Sequence, residues 1–88
     1  MQKVFIVQRV EPLTGKKGFA PAQELRAFAT AERASAKVKE IYDSLIGWCP
    51  ASMHYKIKLD QHAQSGLYKS VASEDGTKWS VVEVEILN

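Results

Sequence analysis

The 88-residue chain contains one cysteine, Cys49, so it can form neither an internal disulfide nor a thiolate cage for zinc. No apolar run approaches the roughly 20 residues that cross a bilayer, which leaves no membrane partner. Met1-Gln2-Lys3-Val4-Phe5-Ile6-Val7 is too short an apolar stretch to serve as a signal peptide. With its lone thiol, the chain reads as a protein of a reducing, cytoplasmic compartment. Its glycines form no phosphate-cradling loop. His54, His62 and Cys49 stand on separate segments, without the paired short spacings of a metal site. Asp60, His62 and Ser65 include the residue types of a hydrolytic triad but crowd one polar loop, whereas triad members are usually assembled from separate elements. Cys49, between Trp48 and Pro50, reads as a structural thiol rather than a nucleophile. The expectation is therefore a protein with no catalytic residues, no metal and no cofactor.

What the chain does have is the material for one folded domain over residues 1–88, with 45% hydrophobic and 25% charged residues. Its net charge of +2 is unevenly spread. Residues 1–58 hold ten Lys/Arg against five Asp/Glu, and residues 59–88 hold two against five. Such an asymmetry bears on partners rather than on fold.

Residues 3–10 are apolar on both alternating sets, which suggests a central strand. Pro12, Gly15, Gly18 and Pro21 then mark an exposed loop over residues 11–21, with Lys16-Lys17 near its tip. Residues 23–29 read as a second, antiparallel strand. Thr30 is a helix start signal, with Glu32 at the positive end of the helix dipole. Ala34, Val38, Ile41 and Leu45 form one stripe of a helix running to about Ile46, with Gly47 as C-cap and Pro50 preventing continuation. Residues 53–60 alternate, with Met53, Tyr55, Ile57 and Leu59 against His54, Lys56, Lys58 and Asp60, the pattern of a half-buried strand. The last third reads as a hairpin folded about Asp75-Gly76, whose second arm carries Val82, Val84 and Ile86 on one face and Val81, Glu83 and Glu85 on the other. The element order β-β-α-β-β-β gives an α+β two-layer sandwich: an antiparallel sheet of about five strands with one helix on one face. The other face is then open to water or a partner. An uncovered third or C-terminal strand would also permit homodimerisation by sheet extension, so both monomer and homodimer are allowed.

Two surfaces carry binding chemistry. Arg33 and Lys37 share a helix flank with Glu40 and Ser44, and Lys56 and Lys58 project from the third strand, where Tyr68 or Lys69 could join them. Lysines beside an aromatic ring suit a nucleic-acid backbone and a stacked base, and equally suit a solvated strand. Lys78 and Trp79 follow the hairpin turn, where tryptophan serves either as a lid on the core or as an anchor for a protein partner. Trp48 past the helix has the same two readings.

The strand-strand-capped-helix opening, together with Gly66-Leu67-Tyr68 and Glu74-Asp75-Gly76-Thr77-Lys78-Trp79, resembles a small family of phage-encoded anti-CRISPR proteins that act on the type I-F surveillance complex. Tyr68 stands where that pattern leads one to expect tryptophan. The resemblance implies a non-catalytic inhibitor in the cytoplasm of an infected bacterium. Such a protein binds Cas proteins of a type I complex and blocks target DNA recognition. It also implies partner contacts at Lys78 and, more loosely, at Arg33 and Lys37. The alternative is a small nucleic-acid-binding module using the open sheet face.

Overall fold

The computed structural model describes residues 2–13 and 17–86. Gly15 and Lys16 of the expected loop and Leu87 of the closing arm lie outside them. The elements are β1 (Gln2–Val10), β2 (Gln23–Phe28), α1 (Ala31–Trp48), a 3-10 helix (Ala51–Lys56), β3 (Lys58–Gln61), β4 (Tyr68–Ala72) and β5 (Lys78–Ile86). The strands form one antiparallel sheet in the order β2-β1-β5-β4-β3, with α1 packed on one face. The α+β sandwich expected from the sequence is the fold.

α1 begins where the sequence marks it: Thr30 is extended and its Oγ1 accepts the Arg33 N–H at 3.2 Å. The stripe points inward, with Ala34 and Val38 fully buried and Ile41, Leu45 and Ile46 half-buried. Val38, Ile57 and Val71 form the centre of the core, with Tyr42, Leu59, Tyr68, Trp79 and Val81 packed around them. Ser35 fastens the two layers, because its Oγ accepts the Tyr68 N–H at 2.8 Å. Burying that hydroxyl is cheap only because it is bonded.

Three details differ from the sequence reading. Gly47 lies inside α1, and the cap is Cys49, whose N–H donates to the Leu45 carbonyl at 3.0 Å. Residues 53–56 are not strand but part of the 3-10 helix, so Lys56 and Lys58 do not project from one strand. The cause is His54, whose Nε2 lies 3.0 Å from the carbonyls of both Ile46 and Cys49. Facing two carbonyl oxygens, that nitrogen is assigned as the donor, which ties the 3-10 helix of residues 51–56 to the end of α1. His54 is thus a half-buried cap rather than a solvated side chain.

The third difference is the hairpin turn. No residue other than glycine has a positive φ among the described residues, so Asp75-Gly76 is not the two-residue turn its sequence suggests. The Gly76 N–H donates to the Ser73 carbonyl (3.2 Å), and the Ser73 N–H donates to the Thr77 carbonyl (2.8 Å). Within this turn Gly76 alone has positive φ, at 94°, giving the longer hairpin in which a glycine follows an ordinary turn. Residues 11–13 and 17–20 are likewise partly organised, paired through a bridge between Pro12 and Phe19.

Candidate functional site

The sheet's two faces are set by register. Val7 pairs with Val81 and Val71 with Trp79, and these four side chains face α1. On the reverse face Val4 lies opposite Val84, and Ile6 lies opposite both Val82 and Ala27. No element covers that reverse face among the described residues. Val82, Val84 and Ile86 remain 36%, 38% and 40% exposed there, a row that a folded chain normally buries. Lys78 and Lys58 stand at one end of the face, and each is exposed and opposite Ala72. The open face therefore has an apolar half and a lysine-bearing end. Lys58 belongs to this surface.

The other expected binding residues are dispersed. Tyr68 points to the helix side and is half-buried against the core, so no cluster of Lys56, Lys58 and Tyr68 forms. The twist to that side comes from the irregular register at Asp60/Gln61, which places Tyr68 opposite Gln61. Trp79 also packs on the core, in contact with the wall of a hollow that Leu45, Cys49 and Thr77 share. Trp48 is the exposed tryptophan, at 88%. Tyr55 follows it on the 3-10 helix, exposed, with the Lys56 ammonium 5.9 Å from its ring centre. Two aromatic rings left in water on consecutive elements are the signal the sequence reading did not separate from Trp79.

Arg33 and Lys37 do converge with a residue not singled out from the sequence. Arg26 of β2 joins them around a hollow of about 260 Å³ floored by Phe28 and Ala36. The Arg26 guanidinium lies 5.2 Å from the Phe28 ring centre, and Lys37 pairs with Glu40 at 3.3 Å. Lys39, on the opposite flank, has its pKa raised by the hydrogen bond from its ammonium to Asp43, so it stays charged, and that charge is offset by the paired carboxylate.

Around the hairpin, the Asp75 carboxylate accepts the Thr77 N–H (2.9 Å) and the Ser73 hydroxyl. These bonds, the Ser73 hydroxyl first, hold its pKa below the usual carboxylate value. Asp60 lies on β3, and His62 and Ser65 belong to the turn that follows, closed by Gly66 N–H to His62 carbonyl (2.9 Å), with Gln61 Nε2 donating to the Gly66 carbonyl (2.5 Å). Among the described residues, no three His, Cys, Asp or Glu side chains come together as metal ligands, and no helix is long and apolar enough to cross a membrane. Comparison with protein-family models, curated proteins and solved structures finds no match.

Proposed function

We propose that this protein is a non-catalytic binder that attaches to a Cas protein of a type I CRISPR surveillance complex and blocks target DNA recognition. The supporting observation is the uncovered sheet face, where Val4, Ile6, Val82, Val84 and Ile86 form an apolar row ending at Lys78 and Lys58. An apolar centre with a charged margin is the anatomy of a protein-binding surface. The exposed Trp48 and Tyr55 offer a second anchoring point of the kind enriched at interfaces. The target class comes from the resemblance of the Gly66-Leu67-Tyr68 and Glu74-Asp75-Gly76-Thr77-Lys78-Trp79 segments to type I-F inhibitors. Lys78 is the residue common to both arguments, lying in the resembling hairpin and at the lysine-bearing end of the open face. The test is co-purification of the tagged protein with purified type I surveillance complexes, followed by target DNA binding. Stable capture with loss of DNA binding is the expected result, and absence of capture by every type I complex tried would remove the proposal.

A second reading has one observation in its favour: Arg26, Arg33 and Lys37 around the Phe28 hollow could seat a phosphate. A nucleic-acid binder of this kind loses affinity steeply with salt, so fluorescence polarisation of single- and double-stranded DNA across a salt series decides it. Salt-sensitive binding that Arg33→Ala weakens supports this reading, and no binding at low salt excludes it.

A further inference from the structure

The sheet has an edge inside its own interior order. β4 pairs with β5 only through residues 78–80, at Ser70↔Ser80, Val71↔Trp79 and Ala72↔Lys78. Beyond Ser70 it turns away toward β3, and Tyr68 pairs with Gln61 instead. β5 continues for residues 82–86, held on one side by β1 with unbroken register from Val7↔Val81 to Gln2↔Ile86. On its other side, residues 82–86 have no neighbouring strand among the described residues. Alternate backbone N–H and C=O groups along that side are left to solvent.

The outer edges of the sheet are blunted by length and register, whereas this one carries only the charges of Glu83 and Glu85. β3 is four residues long with an irregular register at Asp60/Gln61, and β2 is broken by a shift between Val7 and Gln8 of its partner. Short length and bulges are the usual devices that stop strand addition. Residues 82–86 carry no bulge, proline or lysine. Where β4 would have continued there is instead a groove of about 380 Å³, whose lining includes Phe5, His62, Tyr68, Lys69, Val81 and Glu83. The groove lies beside Val81 and Glu83, where inward side chains of an added strand would enter.

Charge decides what fits. A second copy added antiparallel would place like face on like face. In every register that pairs three or more of residues 82–86, Glu83 or Glu85 then faces a glutamate of the partner copy. Directly opposed like charges destabilise a strand pair. Lys3 engages Glu83 from the β1 side at 3.6 Å, and Glu85 forms no ion pair among the described residues. The carboxylates therefore favour a strand of different composition. We infer that residues 82–86 of β5 accept, by strand addition, an extended segment of a partner protein in which apolar residues alternate with lysine or arginine. Its apolar side chains extend the Val82, Val84 and Ile86 row, and its basic ones meet Glu83 and Glu85 beside the groove. This rests on the reading of the protein as a protein-binding module and names the chemistry of what it grips.

The test uses the full chain and a fluorescein-labelled peptide, Val-Lys-Val-Lys-Val-Lys-Val, in polarisation titrations. Its comparators are the same peptide with glutamate for lysine and the same peptide N-methylated at alternate amides. The lysine peptide is expected to bind about tenfold or more tightly than the glutamate peptide, from two reversed cross-strand charge pairs. N-methylation, which keeps charge and apolarity but removes backbone donors, is expected to abolish binding. Glu83→Lys with Glu85→Lys, both exposed positions, is expected to reverse the preference. The inference is overturned by no saturable binding, by equal binding of the N-methylated peptide, or by a dimer of the chain assembled through this edge. Peptide binding without capture of any surveillance complex would overturn only the target class, and capture without peptide binding would overturn only the strand addition.

Discussion

Asp75 shows how much one carboxylate organises in so small a domain. It reaches back to Ser73 and forward to Thr77, whose residue is buried, and so closes the hairpin that joins β4 to β5. Asp75→Ala removes both bonds and should cost about 1 kcal/mol, lowering the melting temperature by roughly 4–8 °C. The sign of the pH effect follows from the depressed pKa. The stability contributed by the ionised carboxylate is present above about pH 4 and is lost as pH falls through the lower folded value. Urea denaturation of both proteins at pH 7 and at pH 2–3 should show the gap between them narrowing in acid. An unchanged gap would mean that ionisation of Asp75 does not matter to the fold. The two tryptophans make the complementary point at this scale, since Trp79 packs into the core while Trp48 stands in water. Nothing in their flanking residues, one beside a turn and one beside a helix end, separates those fates.

Among the elements, α1 was the most legible because its signals are local and agree. A Thr cap, an acidic first turn and a four-three-four apolar spacing all specify one helix on one face. Thr30→Ala should therefore cost about 1 kcal/mol, measurable as a lower denaturation midpoint with an unchanged slope. A change under a few tenths would mean that the cap bond contributes nothing. Of the strand expected over residues 53–60, residues 58–60 are strand, but residues 53–56 were not legible, because alternation over so few positions imitates a strand. The deciding interaction is His54 bonding to carbonyls at the end of α1, a contact between elements that no window of sequence contains. The hairpin was half legible: Asp75-Gly76 marks the turn, but Gly76 alone adopts the positive φ. The central position of β5 was also hidden, since strand order is set by long-range pairing with β1. The outer edge is β3, whereas the C-terminal strand is paired on both sides at residues 78–80 and on the β1 side alone at residues 82–86.

For the whole molecule, the governing fact is that one helix cannot cover two apolar faces. β5 offers Trp79 and Val81 on one side and Val82, Val84 and Ile86 on the other, and its sequence does not say which side α1 takes. The choice shows in the register, which sets Val7 beside Val81 and Val71 beside Trp79 on one face, where Val71, Trp79 and Val81 pack with Val38. The remaining row stays outside, and its exposure connects the fold to the proposed function. Val84→Asp on that face should leave the fold intact, because the side chain is already 38% exposed, while placing an unpaired charge at the centre of the binding surface. The decisive measurement is the affinity of the wild-type and Val84→Asp proteins for a purified type I surveillance complex, with matched thermal melts to verify folding. The account predicts tight binding by the wild type and a loss of about 30-fold or more in the variant. Equal affinities in two equally folded proteins would contradict it.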